Sequence, residues 1–225
     1  MPRSARVLAD NCCYHLINRG NGRQQVFHKE GDYQAFLGVL QGARQRYSVK
    51  VLAWCLMPNH FHLLVQPGDA SQLNKWMQWV IMTTHVRRYH KHYGTSGHLW
   101  QGRYKSFIVQ DNEHLLTVVR YIEGNPVRAM LSPTAAQWPW SSHHVRHAAS
   151  EEFRPDLLPI LLPEDWSTFV DTLLTDAEIE KIRNSVNRQA PFGNESWRDE
   201  ICASMGLEST LKQRGWPKGW KRKEQ

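Results

Sequence analysis

The sequence predicts an α+β fold: a ferredoxin-like (βαββαβ) antiparallel sheet with helices, followed by a helical C-terminal appendage. Three observations predict it. Strand-length apolar runs alternate with stretches of helical period, two of those runs meet at a tight Pro-Asn turn, and beyond "WPWSS" (138–142) the apolar pattern thins.

The elements follow in order. "CCYHLINRG" (12–20) is a strand that opens into the basic loop "NRGNGRQ" at Gly20 and Gly22. "DYQAFLGVLQGARQRY" (32–47) starts on an aspartate and carries Phe36, Leu37, Leu40 and Tyr47 at helical spacing. Residues 49–59 and 60–67 are two strands joined at Pro58-Asn59. Residues 71–94 read as one long helix with Leu73, Trp76, Met77 and Val80 on a stripe and Gly94 as its stop. "RYKSFIVQ" (103–110) is the fourth strand. "DNEHLLTVVRYIEGN" (111–125) is a helix with capping residues at its start and a break at Gly124-Asn125-Pro126. Segments 164–188 and 196–211 look helical and more polar.

At 225 residues with 41% hydrophobic and 22% charged content, the chain suits one core, assigned to 1–150, plus an accessory piece, 151–225. No apolar run approaches the ~18 residues that span a bilayer. The start, "MPRSARVLADNCC", lacks the apolar middle of a secretory signal, so a cytoplasmic protein is expected. Cys12, Cys13, Cys55 and Cys202 form no C-x-x-C pair, which argues against a thiolate zinc site and a disulfide framework. The net charge of +7 points to a polyanionic partner. The ending "KQRGWPKGWKRKEQ" sets Trp216 and Trp220 among basic residues, a pattern suited to phosphates and stacked bases or simply to a solvated tail.

The chemistry centres on "WCLMPNHFHLLVQP" (54–67). In a strand, His60 and His62 share a face and Phe61 takes the other, so the two imidazoles can share a divalent cation at an open strand end. A control lies within the same chain. His90 and His92 have the same spelling on a helix, where two residues are about 200° apart and the pair diverges. In "RYIEGNPVRA", Tyr121 and Asn125 are four apart on one helical face. Tyrosine is a plausible nucleophile toward phosphorus, and an asparagine carbonyl is an acceptable hard ligand for Mg²⁺ or Mn²⁺. The proline after Asn125 pushes that residue toward the helix end. The bland alternatives are core or surface histidines and a half-buried core tyrosine. No dedicated base is legible; Glu123, on a neighbouring face, is unconvincing.

Four ordered blocks, "YHLINRGNGRQQVF" (14–27), "WCLMPNHFHLLVQP" (54–67), "HLWQGRYKSFIV" (98–109) and "VVRYIEGNPVRAML" (119–131), resemble the REP-associated tyrosine transposases. These are a single-strand insertion-sequence branch of the HUH nuclease superfamily. The resemblance implies a divalent metal, Mg²⁺ or Mn²⁺, on His60 and His62, and Tyr121 as nucleophile forming a 5′-phosphotyrosine. Asn125 matches a third, polar ligand that is often glutamine in relatives. It also implies single-stranded DNA hairpins with a short flanking sequence as substrate, and a monomer or homodimer. Candidate DNA contacts are Asn18, Arg19, Asn21 and Arg23 in the first loop, Arg87 and Arg88 on the long helix, Trp100, Arg103 and Lys105 before the fourth strand, and Arg128 beyond the nucleophile. Two other readings compete: a non-catalytic nucleic-acid-binding module on the same fold, and a two-histidine phosphoesterase, which would need a second H-x-[ST] motif.

Overall fold

A computed structural model describes residues 8–147 and 153–212, and the tail tryptophans Trp216 and Trp220 lie outside them. Strands β1 (Cys13–Arg19), β2 (Val49–Met57), β3 (His60–Pro67) and β4 (Lys105–Val109) form one antiparallel sheet in the order β2-β3-β1-β4. That order is compatible with the ferredoxin-like arrangement. β2 and β3 are joined at Pro58-Asn59, with Met57 opposite His60, as the turn signal predicts.

Side-chain alternation sorts the strands into two cores. Tyr14, Leu16, Trp54, Leu56, Phe61, Leu63 and Val65 fill one; Cys13, Cys55, Leu64, Phe107 and Val109 fill the other. A register shift between Val51 and Ala53 keeps β2 in step. It sends Leu52 and Ala53 to the same core, so Val49 and Val51 still share a side with Trp54 and Leu56.

The first core is covered by α1 (Glu30–Arg44) and by the segment after β3. That segment differs from the single helix expected. It runs as α2 (Ala70–Gln78), a π-helical stretch over Trp79–Val86, and α3 (Arg87–Tyr93), ending at Gly94 with φ 62°. Trp79 comes close to α1 here, since a Cβ on Gly42 would stand 3.1 Å from its ring. The wider turn changes the helical phase after Trp79 and turns His85 into the core among Phe27, Phe36 and Trp100. Local sequence period cannot reveal such a switch.

The second core is covered by α4 (Glu113–Glu123), whose Leu115, Val118, Val119 and Ile122 are fully buried. Each such side chain contributes about 1.5–3 kcal/mol. This burial seats the helix over the same sheet face that carries His60 and His62. A short helix, α5 (Asn125–Arg128), follows directly.

The described part of 151–225 packs on this frame. Asp156 bonds the Val51 backbone at the β2 edge and pairs with Arg44 at 3.0 Å, while the Phe192 backbone bonds Ile108 and Gln110 at the β4 edge. The two helical segments expected there are each broken. Residues 164–188 divide into α7 (Trp166–Asp171) and α8 (Asp176–Arg188), the latter opened by a Thr175–Glu178 capping box. Residues 196–211 divide at Gly206, φ 63°, into α9 (Glu195–Met205) and α10 (Glu208–Leu211). Between α5 and α7 lies α6 (Ser142–His147). Among the described residues no helix is long and apolar enough to cross a membrane.

Candidate active site

β3 presents His60 and His62 on the α4 side of the sheet, and α4 lowers Tyr121 onto them. The Tyr121 ring stands edge-on to His62, with centroids 5.6 Å apart and planes at 85°. Tyr121 is 7% exposed, and the His60 and His62 rings are 5.0 Å apart. The control pair diverges as expected. His90 bonds Thr95 at 2.9 Å, whereas His92 reaches Lys29 at 2.7 Å.

Both imidazoles are oriented from behind. His60 Nδ1 lies 2.6 Å from Asn59 Oδ1, which can only accept, so Nδ1 carries the proton and Nε2 keeps its lone pair. His62 Nδ1 lies 2.8 Å from Nε2 of His15, a fully buried residue of β1 stacked on it at 5.1 Å. A proton on His62 Nδ1 leaves its Nε2 as a second lone pair. Burial, with the Arg19 and Arg128 charges, holds His60 at about 3; burial holds His15 at about 3. Burial keeps His62 well below its usual value, and its histidine and arginine neighbours add to this. Neutral, pre-oriented imidazoles fit a divalent cation as two of its ligands. Among the described residues no group of three or more His, Cys, Asp or Glu side chains is arranged to hold a metal. Further positions would fall to water and substrate oxygens, as is usual for Mg²⁺.

Asn125 is buried beneath Tyr121 and is committed locally. Its Nδ2 donates to the carbonyls of Tyr121 (2.9 Å) and Ile122 (3.3 Å), and its Oδ1 accepts from Arg128. A cation drawing on this oxygen would share it with the Arg128 guanidinium, a like charge, so ligation is favoured when Arg128 moves away. Arg128 itself lies over the Tyr121 ring, 4.3 Å from the centroid. Burial pulls its guanidinium below the usual range, Tyr121 opposes that pull, and Arg183 adds to it. Gly124 makes the bend between α4 and α5: a Cβ there would sit 2.9 Å from the Arg120 carbonyl and 3.1 Å from that of Val170.

Glu123 faces away from this chemistry. Wholly buried, it accepts from Ser142 (2.6 Å), Trp166 (2.8 Å), His143 and Arg146 (both 3.2 Å), tying the end of α4 to α6 and α7. Burial alone would raise its carboxyl, but the His143 hydrogen bond, the Arg146 charge and Ser142 prevail and lower it to about 2.

Tyr121, His60 and His62 open into a cleft of about 1130 Å³. Its described lining carries Arg19, Arg103, Lys105, Arg128, Arg183 and Arg188, and no Asp or Glu. Of the expected DNA contacts, Asn18, Arg19, Arg103, Lys105 and Arg128 line it. Asn21 and Arg23 sit outside, on an exposed turn whose Arg23 carbonyl accepts from Asn59. Arg87 and Arg88 are exposed on α3, across the sheet from the cleft. Trp100 does not line the cleft either. It is 4% exposed and packed against Phe61 and His85.

Sequence reading missed His15, whose strand phase matches that of His62 once β1 is paired with β3, Ile17 facing His62. It also missed Arg183 and Arg188, which nothing local marks as facing the cleft.

A family model described as "Transposase IS200 like" matches residues 9–125. A Haemophilus influenzae protein assigned by name to the REP-associated tyrosine transposases is 27% identical over 133 residues, 54% of this chain and 69% of that protein. A solved REP-associated tyrosine transposase, described as bound to a REP hairpin, superposes with a TM-score of 0.54 at 17% identity, covering 73% of this chain and 100% of the other.

Proposed function

This chain belongs to the IS200-like transposase family, and from that premise we propose that it cleaves and rejoins single-stranded DNA beside hairpins through a phosphotyrosine on Tyr121. The observation that carries the proposal is the seating of the Tyr121 ring against His62 at the floor of a cationic cleft. The solved neighbour described as bound to a REP hairpin supports a hairpin as the partner.

A divalent cation, Mg²⁺ or Mn²⁺, on Nε2 of His60 and His62 would supply Lewis-acid polarisation of the scissile phosphate. Tyr121 Oη attacks phosphorus in line. The bond to the leaving 3′ oxygen breaks, giving a 5′-phosphotyrosine and a free 3′-OH. A 3′-OH from another end attacks that link, restores the phenol and reseals the strand, so the phosphodiester energy is conserved. Arg128, over the ring, places a fixed positive charge where the phenol oxygen and phosphate develop negative charge. Movement of Arg128 onto phosphate would free Asn125 Oδ1 to become the third ligand. Glu123 is not the base, because all four of its donors hold it elsewhere.

One chain supplies Tyr121, His60 and His62 to one cleft, so the chemistry needs no second copy. We place the protein in the cytoplasm, with its DNA.

The test is cleavage of a labelled hairpin oligonucleotide with single-stranded flanks. Cleavage with Mn²⁺ that stops in EDTA and in His60→Ala/His62→Ala supports the reading. Cleavage that persists in either, or tight binding of the hairpin with no cleavage, opposes it.

A further inference from the structure

The sequence assigned the last third of the chain little beyond charge, yet part of it walls the active-site cleft. The C-terminal half of α8 supplies Arg183, Asn187 and Arg188, and residues 205–210 continue the wall. This wall is anchored on the catalytic core. Lys105 of β4 donates to Asn187 Oδ1 at 3.2 Å, and the Arg188 guanidinium bonds the carbonyls of Thr210 and Ser209. Ile179 and Ile182 bury the adjoining side of α8 in the second core.

Arg183 differs from these braces. It is exposed, lines the cleft and has neither hydrogen bond nor ion pair among the described residues. Its charge is felt by Arg128, which lies over Tyr121. Two arginines converge on one cleft whose described lining offers no carboxylate to either. A folded chain tolerates that arrangement best when an anion completes it. The cleft, only slightly larger than typical small-molecule sites of about 300–1,000 Å³, suits an unpaired strand and not a duplex.

We propose that Arg183 is a phosphate contact, and that the α8–α10 wall clamps the single strand across the cleft from the β1 and β4 cations. The inference rests on the DNA-cleaving function proposed above and extends it to a segment beyond the 9–125 family match. The partner is single-stranded DNA read through its backbone, so the contact is independent of base sequence.

That independence sets the experiment. The full-length protein is titrated with a fluorescein-labelled oligo-dT of about 12 nucleotides, within the footprint range of single-strand binders. Anisotropy is read across a salt series for wild type, Arg183→Gln and Lys181→Gln. Lys181 is exposed on the same helix but outside the cleft lining, so it controls for the charge change. Arg183→Gln should weaken binding about tenfold, the loss of one charge-assisted hydrogen bond. It should also reduce the slope of log K against log salt by about 0.7, one single-strand phosphate contact. Lys181→Gln should match wild type, and all three proteins should melt together, since neither side chain is buried. Equal affinity and slope for Arg183→Gln and wild type would overturn the inference, as would an equal loss in Lys181→Gln. If wild type cleaves its hairpin while Arg183→Gln is unchanged, this inference alone fails; if wild type neither cleaves nor binds single strands, the functional reading fails with it.

Discussion

Replacing Glu123 by Gln tests how α4, the helix that carries Tyr121, is held. Four donors converge on this buried carboxylate: Ser142 Oγ, whose own oxygen accepts from the Trp54 amide, the His143 ring, Arg146 and Trp166. A glutamine keeps one accepting oxygen and turns an NH₂ toward the remaining donors. The drop in the carboxyl from 4.5 to about 2 corresponds to about 3 kcal/mol of native-state stabilisation at neutral pH. Removing one partner of a buried ion pair independently suggests roughly 3–5 kcal/mol. For a chain of this length, each kcal/mol moves the melting midpoint by about 2–4 °C, so Glu123→Gln should melt roughly 6–12 °C below wild type. The sign of the pH dependence also follows. A depressed carboxyl contributes fully above 4.5 and loses its contribution as pH falls toward 2, so the gap should stay constant from pH 8 to about 5.5. Urea denaturation at pH 8, 7 and 5.5 measures it. A gap under 1 kcal/mol, or one that closes within that window, would refute the argument that this carboxylate is the ionic hub of the α4–α6–α7 junction.

Three further predictions concern the histidines and Asn125. His15, His60 and His85 are held at about 3 by burial, with charged neighbours adding to this for His60, whereas the unfolded chain takes up these protons near 6.5. Stability is therefore full above 6.5 and declines at roughly 4 kcal/mol per pH unit as the medium acidifies below it. Circular dichroism should show an acid-unfolding midpoint above pH 4, and an intact fold at pH 4 would contradict this. His15→Phe preserves a ring against His62 but removes the acceptor for its Nδ1 proton; Mn²⁺ affinity by calorimetry should fall about 10–100-fold, as for other second partners of ligating histidines, and an unchanged affinity would disprove the tautomer argument. Asn125→Ala leaves the Tyr121 and Ile122 carbonyls without their amide donor and should cost about 1–3 kcal/mol in a urea melt, while Mn²⁺ affinity without DNA stays as in wild type; an equally stable variant would show that those bonds contribute nothing.

The succession of strands and helices up to α4 and the histidine face were legible because both rest on local rules. Period-two alternation places His60 with His62, and Pro58-Asn59 fixes the hairpin that carries them. What escaped was set by tertiary pairing. His15 becomes a partner of His62 only when β1 lies beside β3. Trp100, in a polar loop, gave no sign that it would be buried against Phe61 and His85. The π-helical stretch lay hidden because its sequence continues a helical pattern, and the lost phase appears only in the packing of His85. Sequence tells against Glu123 as a base on grounds of face alone. The structure supplies the physical reason, four donors on the far side of the helix.

The measurement that tests the central claim most directly is the covalent adduct. Wild type and Tyr121→Phe are incubated with Mn²⁺ and a labelled hairpin oligonucleotide, then separated under denaturing conditions. The account predicts a labelled, protein-sized band in wild type that requires metal and is missing from Tyr121→Phe. The same band in the Tyr121→Phe protein would contradict it.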